Sequence, residues 1–182
     1  MISATTLDNT KKPIQNAFDE VATPFEYGAG HVQPNPAIDP GLVYDLNTTD
    51  YLNFLCASGY NQALLKFFAN SEAPFTCSKH YRIEDLNYPS ITVHHPTPKL
   101  KRVITRTVTN VGLPGTYDVS TQAPKGIKIL VQPSSLTFEK TGEKKTFQVT
   151  LQATAVPHGL PLFGNLSWRD GKHRVTSPIT VL

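Results

Sequence analysis

The amino-acid sequence predicts a mainly β protein, with a β-sandwich in its C-terminal half and a small mixed α/β part before it. Threonine and proline are frequent, with 21 and 15 copies among 182 residues, which is typical of strands and turns. From about residue 86 the apolar residues recur at every second position, whereas the first 80 residues contain short helical patterns. With 39% hydrophobic residues, the chain is long enough to bury a core of its own.

The composition argues against two classes of partner. The net charge is +3, from 17 basic and 14 acidic residues, and the basic residues are scattered, so we expect no nucleic-acid partner. No apolar run approaches the ~20 residues of a spanning helix, so we expect no membrane partner. Residues 1–8 lack a basic start followed by an apolar stretch, and we therefore expect no signal peptide on this chain.

In the first part of the chain, alternation over 24–32 predicts a short strand with Phe25 and Tyr27 on one face. The two glycines of this stretch would leave the other face bare, so that a helix could approach it closely. Because no third glycine and no helix follow, the pattern does not match a nucleotide-binding loop, and we expect no cofactor. Residues 33–41 contain three prolines and are predicted to form an irregular crossing segment.

Two short helices are predicted next. The first runs from a cap at Thr48 or Thr49 to a left-handed stop at Gly59, and the second covers 62–68 after a cap at Asn61. The aromatic residues of the second helix are predicted to belong to a core rather than to a ligand site.

Cys56 and Cys77 lie 21 positions apart, a spacing that fits neither a zinc site nor a Cys-x-x-Cys redox pair. We therefore predict a disulfide, with two buried free thiols as the alternative. On the chain-entropy estimate such a bridge stabilises the fold by about 3 kcal/mol. Asn47 and Asn165 each begin an Asn-x-Ser/Thr sequon, and we predict both as glycosylation sites of a secreted protein.

The second part of the chain is predicted to contain about seven short strands between residues 86 and 182, joined by turns, as in a β-sandwich. Proline at the second and glycine at the fourth position predict a turn over 123–126. For the strand around Arg106 the sequence does not predict which face is buried, because the charged Arg106 shares a face with the apolar residues Ile104 and Val108. The alternating apolar residues that define the clearest strands are Tyr117, Val119, Ile127, Ile129, Val131, Phe147, Val149 and Leu151.

The last hairpin can be predicted in register. A two-residue turn at Asp170-Gly171 would pair Arg169 with Lys172 and Trp168 with His173. The opposite, polar face is predicted to be wet, which leaves Asn165 accessible, and His173 beside Trp168 is predicted to be a packing histidine. The face predicted to be apolar contains Leu166, Trp168, His173 and Val175.

No catalytic residue and no metal site can be predicted from the sequence. A serine hydrolase motif such as Gly-x-Ser-x-Gly or Gly-Thr-Ser is missing. The histidines lack ligand spacing, and the adjacent pair at 94 and 95 would point to opposite faces of a strand. The basic residues Lys99, Lys101, Arg102, Lys144 and Lys145 are predicted to be solvated edge charges rather than a site for an acidic polysaccharide. The six histidines are His31, His80, His94, His95, His158 and His173.

Several segments taken together resemble the C-terminal part of plant subtilisin-like serine proteases. Their order and spacing cover almost the whole chain, although each is weak alone. They are 24–32 (PFEYGAGHV), 39–45 (DPGLVYD), 50–56 (DYLNFLC), 85–90 (DLNYPS), 106–112 (RTVTNVG) and 168–178 (WRDGKHRVTSP).

The resemblance implies a three-part layout. Residues 1–45 would be the end of the α/β peptidase domain, 46–84 a helical connector with the disulfide, and 85–182 a fibronectin type III-like β-sandwich. The family's catalytic Asp, His and Ser and its oxyanion Asn belong to upstream motifs, so none is carried over, and His31 matches a position other than the catalytic histidine. Met1 falls where the family has an internal segment, so we expect a truncated product or an incomplete gene model.

The function that the resemblance implies is that of a non-catalytic segment of a secreted serine endopeptidase. The segment would support stability, maturation or assembly of the peptidase domain, outside the cell or in the cell wall. The expected partners are that peptidase domain and a second copy of the chain. The five apolar residues expected to pack on the peptidase domain, and to leave 1–45 poorly ordered without it, are Phe25, Tyr27, Val32, Val43 and Tyr44.

A free-standing β-sandwich that binds a protein or a cell-wall polysaccharide is the alternative. A stable, monodisperse domain over 85–182 that binds a ligand without any protease would favour it over the supporting segment.

Overall fold

The computed structural model describes residues 1–69, 75–94, 101–154 and 160–182, and its strands form two sheets packed face to face. One sheet has the order β1-β3-β7-β5 and the other the order β2-β9-β8-β4-β6. All neighbouring strands are antiparallel except β2 and β9, which are parallel. The strands are β1 (Leu42–Val43), β2 (Ile91–Val93), β3 (Arg102–Asn110), β4 (Gly115–Gln122), β5 (Ile127–Gln132), β6 (Ser135–Phe138), β7 (Lys144–Ala153), β8 (Leu162–Arg169) and β9 (Arg174–Val181).

The four helices of the described residues lie before β2 in the chain, two before β1 and two after it. They are α1 (Pro24–Tyr27), α2 (Pro34–Ile38), α3 (Thr48–Ala57) and α4 (Gln62–Ala69), followed by a 3-10 turn over Ile83–Asp85. The mainly β fold and the sandwich predicted for the C-terminal half are thus confirmed, with a small helical part in front.

The core lies between the two sheets and follows the predicted period of two. Phe147 contacts Trp168 edge to face at 5.1 Å between ring centroids, and Tyr117 contacts Phe138 in the same way at 5.9 Å. Alternate residues of β7 are buried, as the sequence predicts, since one face of each strand turns inward.

The strand predicted over 24–32 is wrong. Pro24–Tyr27 is a single helical turn, because Pro24 fits the first helical position and the Glu26 carboxylate accepts a hydrogen bond from the Thr23 amide at 2.6 Å. The predicted irregular segment after it contains a second such turn, Pro34–Ile38, which also begins at a proline.

The first long helix, α3, starts one residue earlier than predicted. Its cap is Asn47, whose side-chain oxygen accepts from the Asp50 amide at 3.1 Å, rather than Thr48 or Thr49. The cap of α4 agrees with the prediction, since the Asn61 side chain accepts from the Leu64 amide at 3.0 Å.

The last hairpin has a four-residue loop, and the predicted register is shifted by two. Arg169 pairs with Arg174, not with Lys172. The cause is Asp170, whose carboxylate accepts from the amides of Lys172 at 2.9 Å and His173 at 2.6 Å and so widens the turn. A shift of two keeps each side chain on its predicted face.

Contrary to the prediction, part of the polar face of this hairpin is buried rather than exposed to solvent. Ser167 is buried and bonds to Thr176 through their hydroxyls at 2.9 Å. The N-terminal segment faces this side of the sheet, where Phe25 packs edge-on against Phe163 at 5.1 Å.

The sandwich also takes in residues that the sequence analysis assigned to the first part of the chain. β1 pairs with β3, and Leu42 is fully buried in the core. Tyr44 packs on the sandwich and shares a hydrogen bond with the Ser177 hydroxyl at 2.8 Å, so the expectation that it waits for a peptidase element is wrong. Burial raises the pKa of Tyr44 to about 12.

Candidate functional site

The candidate site is the junction, defined here as the surface where residues 1–45 meet the sandwich. A cleft of about 870 Å³ lies between the two. Two of the segments that carry the family resemblance, 39–45 and 168–178, come together beside this cleft. The sequence alone gives no sign of this contact, because more than 120 residues separate the two segments.

An ionic cluster forms the centre of the junction. The His173 ring lies between two carboxylates, with Nδ1 2.7 Å from Asp170 and Nε2 3.1 Å from Asp39. The second contact is close but not aligned as a hydrogen bond, whereas the Lys172 ammonium donates to the same Asp39 carboxylate. His173 also stacks on Tyr117, with ring centroids 6.4 Å apart.

The cluster shifts the protonation equilibria of its members. Burial alone would lower the pKa of His173, but the carboxylates of Asp170 and Asp39 outweigh burial and raise it above its usual value of 6.5. Burial by itself would raise the pKa of Asp170. Hydrogen bonds from the backbone amide and the ring of His173, and from the backbone amide of Lys172, outweigh burial and lower this pKa to about 2. Lys172 and His173 hold the pKa of Asp39 below its usual value.

Gly41 allows the close approach of the two segments. Its φ is +78°, and a Cβ at this position would lie 2.4 Å from the Tyr117 hydroxyl and 2.8 Å from Cγ of His173. Only glycine adopts this backbone without strain and leaves room for both rings.

The ionic cluster is the first fastening between residues 1–45 and the sandwich, and a second fastening lies at the end of β1. The Asn87 amide group donates to the carbonyls of Asp45 at 3.1 Å and Thr107 at 2.8 Å, and its oxygen accepts from the Thr107 amide at 2.8 Å. Asp45 itself accepts from the Thr109 hydroxyl and pairs with Lys144 at 3.2 Å. These bonds join Asp45 and Asn87 to β3 without any catalytic arrangement.

Arg106 supplies a third fastening and resolves the undecided face of β3. The residue is buried, with 4% of its surface exposed, beside Ile104 and Val108. Its guanidinium donates to the carbonyls of Glu84 at 2.7 Å and Tyr88 at 3.0 Å. The charge thus orders the segment that leads into the sandwich.

Large apolar side chains remain exposed in residues 1–41 and on α4. In residues 1–41 the most exposed are Phe18, Val21, Phe25, Val32 and Ile38, with 63–83% of each surface accessible. On α4 the exposed side chains are Leu64, Phe67 and Phe68, so the prediction that the aromatics of this helix belong to a core is wrong. Large apolar side chains exposed to this extent are suited to a contact with another protein surface.

The residues predicted as modification sites lie apart from the ionic cluster. Cys56 and Cys77 form a disulfide that joins α3 to the chain after α4. Asn47 is exposed at the start of α3, whereas Asn165 lies half-buried on the wall of the cleft and donates to the Gln122 side chain at 2.7 Å. The sequence analysis missed Asp39 and Asp170, although the Asp-Gly turn itself was a usable sign for the second.

The other candidates give no site. Across residues 1–69, 75–94, 101–154 and 160–182, no group of three or more His, Cys, Asp or Glu side chains could hold a metal ion. His31, His80 and His94 are exposed and distant from the cluster, and His95, His158 and Lys99 lie outside the described residues. In the same ranges the structure contains no helix that is long and apolar enough to span a membrane.

Of the basic side chains predicted as solvated charges, Lys144 pairs with Asp45 and Lys145 pairs with Glu143 at 2.9 Å.

Comparisons with known proteins agree with this architecture. The family model described as "Fibronectin type-III domain" matches residues 85–181. A subtilisin-like protease of Glycine max is 59% identical over the whole chain, and subtilisin-like protease SBT5.3 of Arabidopsis thaliana is 50% identical, the chain covering 23% of each of them. A CO(2)-response secreted protease of Arabidopsis thaliana is 41% identical over the whole chain and 24% of its own length.

Among solved structures, a FixG-related protein from Vibrio parahaemolyticus aligns with a TM-score of 0.38 and 11% identity, over 46% of this chain and 78% of that one. The chain spans only 23% of the length of the first two protease relatives, and the matching part leaves out their catalytic domain. The chain therefore belongs to the fibronectin type-III domain family and corresponds to the C-terminal region of plant subtilisin-like proteases.

Proposed function

We propose that this chain is a non-catalytic supporting segment of a secreted subtilisin-like serine endopeptidase and that it stabilises the peptidase domain by packing against it. The observation that carries the proposal is the set of exposed apolar side chains in a segment firmly fastened to the sandwich. Phe18, Val32 and Ile38 are each more than 80% exposed, while β1, a few residues further on, is part of the sandwich core.

Burial of the exposed apolar side chains of residues 1–41 against a partner is energetically favourable. Burying a large apolar side chain is worth about 1.5–3 kcal/mol, and the exposed set offers several such gains to one partner. The contacts of Asp39 and Asp45 with the sandwich hold the backbone of 39–45 before the partner arrives, so little ordering entropy opposes the docking. The catalytic residues would come from the attached peptidase domain.

The proposal includes the three-part division into 1–45, 46–84 and 85–182 and an extracellular location for the whole protein. A named secreted protease among the relatives supports that location. It also includes glycans at Asn47 and Asn165. Because the sequon residue Ser167 is buried, we infer that Asn165 is modified before the hairpin folds.

The test mixes the chain with a separately expressed catalytic domain of the Glycine max relative and measures association and labelling by a fluorophosphonate probe. We expect a labelled complex, and we expect Val32→Asp to weaken association at least tenfold, since about 1.4 kcal/mol corresponds to that factor. Leu113→Asp is the matched control, because Leu113 is equally exposed, at 83%, but lies in a sandwich loop.

Absence of any complex, or equal loss in both variants, would count against the proposal. A monodisperse chain that binds a different ligand would favour the free-standing binding module, and a concentration-dependent dimer would assign the apolar surface to a second copy.

A further inference from the structure

The ion pairs that fasten the N-terminal segment to the sandwich converge on one residue. In the described parts of the chain, the ion pairs between residues 1–41 and the sandwich all run through Asp39, to Lys172 and to His173. The other contacts of this segment with the sandwich include the Phe25–Phe163 ring contact and a backbone bond from the Thr176 amide to the Ile2 carbonyl at 2.9 Å.

We propose that His173 acts as a proton-dependent latch, holding residues 24–41 on the sandwich when its imidazole is charged and loosening them when it is neutral. The geometry requires this dependence. A charged imidazole has two N–H groups, one for the Asp170 carboxylate at 2.7 Å and one facing the Asp39 carboxylate at 3.1 Å. A neutral ring has a single N–H, so a lone pair then faces one of the two carboxylates.

The groups around the ring determine which contact is lost. Asp170 is also held by the backbone amides of residues 172 and 173, so it keeps the remaining ring N–H when the imidazole loses a proton. Tyr117, on β4, contributes a hydroxyl 3.4 Å from Nδ1, and Lys172 is the remaining charged neighbour. Asp39 therefore loses its imidazole partner first and retains only Lys172.

That remaining pair is a weak substitute. The Lys172 side chain is 73% exposed, and solvent-exposed ion pairs contribute between zero and about 1 kcal/mol. The His173 side chain is only 10% exposed, so its contact with Asp39 is screened much less.

The direction with pH follows from the shifts of the pKa values. The pKa of His173 is raised, so the contribution of the latch is complete below the unfolded value of about 6.5 and is lost as pH rises through the folded value. The pKa values of Asp39 and Asp170 are lowered, so both carboxylates stay charged across the range in which His173 titrates. The latch is therefore closed under mildly acidic conditions and opens towards alkaline pH.

The experiment measures amide hydrogen exchange over 24–41 in the full chain, corrected for intrinsic rates, at pH values of about 5.5 and about 8. In the wild type we expect protection to fall several-fold at the higher pH. His173→Gln should give low protection at both pH values, because the amide side chain carries no charge, while Asp170 still orders the hairpin loop. His31→Gln is the matched control, since it removes an exposed imidazole from the same segment, and it should keep the wild-type dependence.

A second measurement keeps the proposal testable even if His173→Gln disturbs the fold. The pKa of His173 is followed by NMR in the wild type and in Asp39→Asn, and we expect the variant to lower it, since one of the two carboxylates is gone. An unchanged pKa in Asp39→Asn would overturn the proposal. So would wild-type protection that stays constant with pH, or a pH dependence that persists in His173→Gln.

Discussion

Arg106 shows how a single buried charge can organise a segment of irregular backbone. The guanidinium donates to the carbonyls of residues 84 and 88 and so ties this irregular segment to β3. Burial lowers the pKa of this arginine, and the neighbouring tyrosines 44 and 81 and Asp85 oppose the shift. Alternation could not assign the residue to a face, because a charged side chain among Ile104 and Val108 contradicts the hydrophobic pattern.

We expect Arg106→Met to destabilise the protein by about 3 kcal/mol, since each hydrogen bond from a charged donor is worth about 1.5–3 kcal/mol. Urea unfolding measures the change. Arg106→Lys should lose less, because an ammonium group still donates to part of the set. A loss below about 1 kcal/mol for the methionine variant would mean that water replaces the guanidinium at these carbonyls.

Gly41 provides the second prediction at this scale. We expect Gly41→Ala to cost clearly more than Gly126→Ala, although both residues have positive φ, +78° and +84°. The left-handed backbone costs alanine about 1 kcal/mol at either position. At Gly41 the added methyl group also overlaps the Tyr117 hydroxyl and the His173 side chain, which adds about 1–3 kcal/mol, whereas nothing lies within 4 Å at Gly126. Equal melting temperatures for the two variants would contradict this account of the close approach.

At the scale of elements, the start of α3 combines two roles in one residue. Asn47 caps the helix through its side-chain oxygen and also begins a sequon, whose threonine is Thr49. An N-glycan attaches to the amide nitrogen, so the capping oxygen stays free to accept from the Asp50 amide. The cap and the modification are therefore compatible.

Substitution can separate the two roles. In protein made without glycans, Asn47→Ala should lose about 1 kcal/mol of unfolding free energy with the cap, while Thr49→Ala should change little. In a secretory host both variants should lose the same glycan, detected as a mass difference. If the two variants are equally stable without glycans, the cap does not stabilise α3 as the structure implies.

Elements were predictable where local chemistry decides them. The alternation of β7 and the cap of α4 follow from nearest neighbours, and the structure agrees with both. The predicted register of the last hairpin is wrong because the Asp170 carboxylate, rather than the Asp-Gly dipeptide, determines the loop length. The first helical turn was missed because a Thr-Pro start with a glutamate three positions later outweighs a short apolar alternation.

At the scale of the whole molecule, we expect the boundary between fast and slow amide exchange to lie within residues 1–45 and not at residue 45, the predicted end of the first part. We expect amide exchange in the isolated chain to be fast over 10–22, pH-dependent over 24–41 and slow from β1 onward, because β1 pairs with β3 in the core. Exchange resolved by residue measures the boundary. Uniform protection from residue 10 to residue 45 would mean that the exposed apolar segment is stable without a partner.

The sequence by itself determined the mainly β class, most of the strands and the segments that carry the family resemblance. These features depend on periodicity, turn chemistry and residue strings, which are properties of neighbours along the chain. The tertiary structure alone decided that Arg106 faces inward, that β1 and Tyr44 belong to the sandwich, and that Asp39 meets His173. The contacts of β1, Tyr44 and Asp39 join residues 66 to 134 positions apart, and those of Arg106 reach back 18 to 22 positions. Such contacts depend on how the two sheets pack, and no local pattern in a single sequence contains that information.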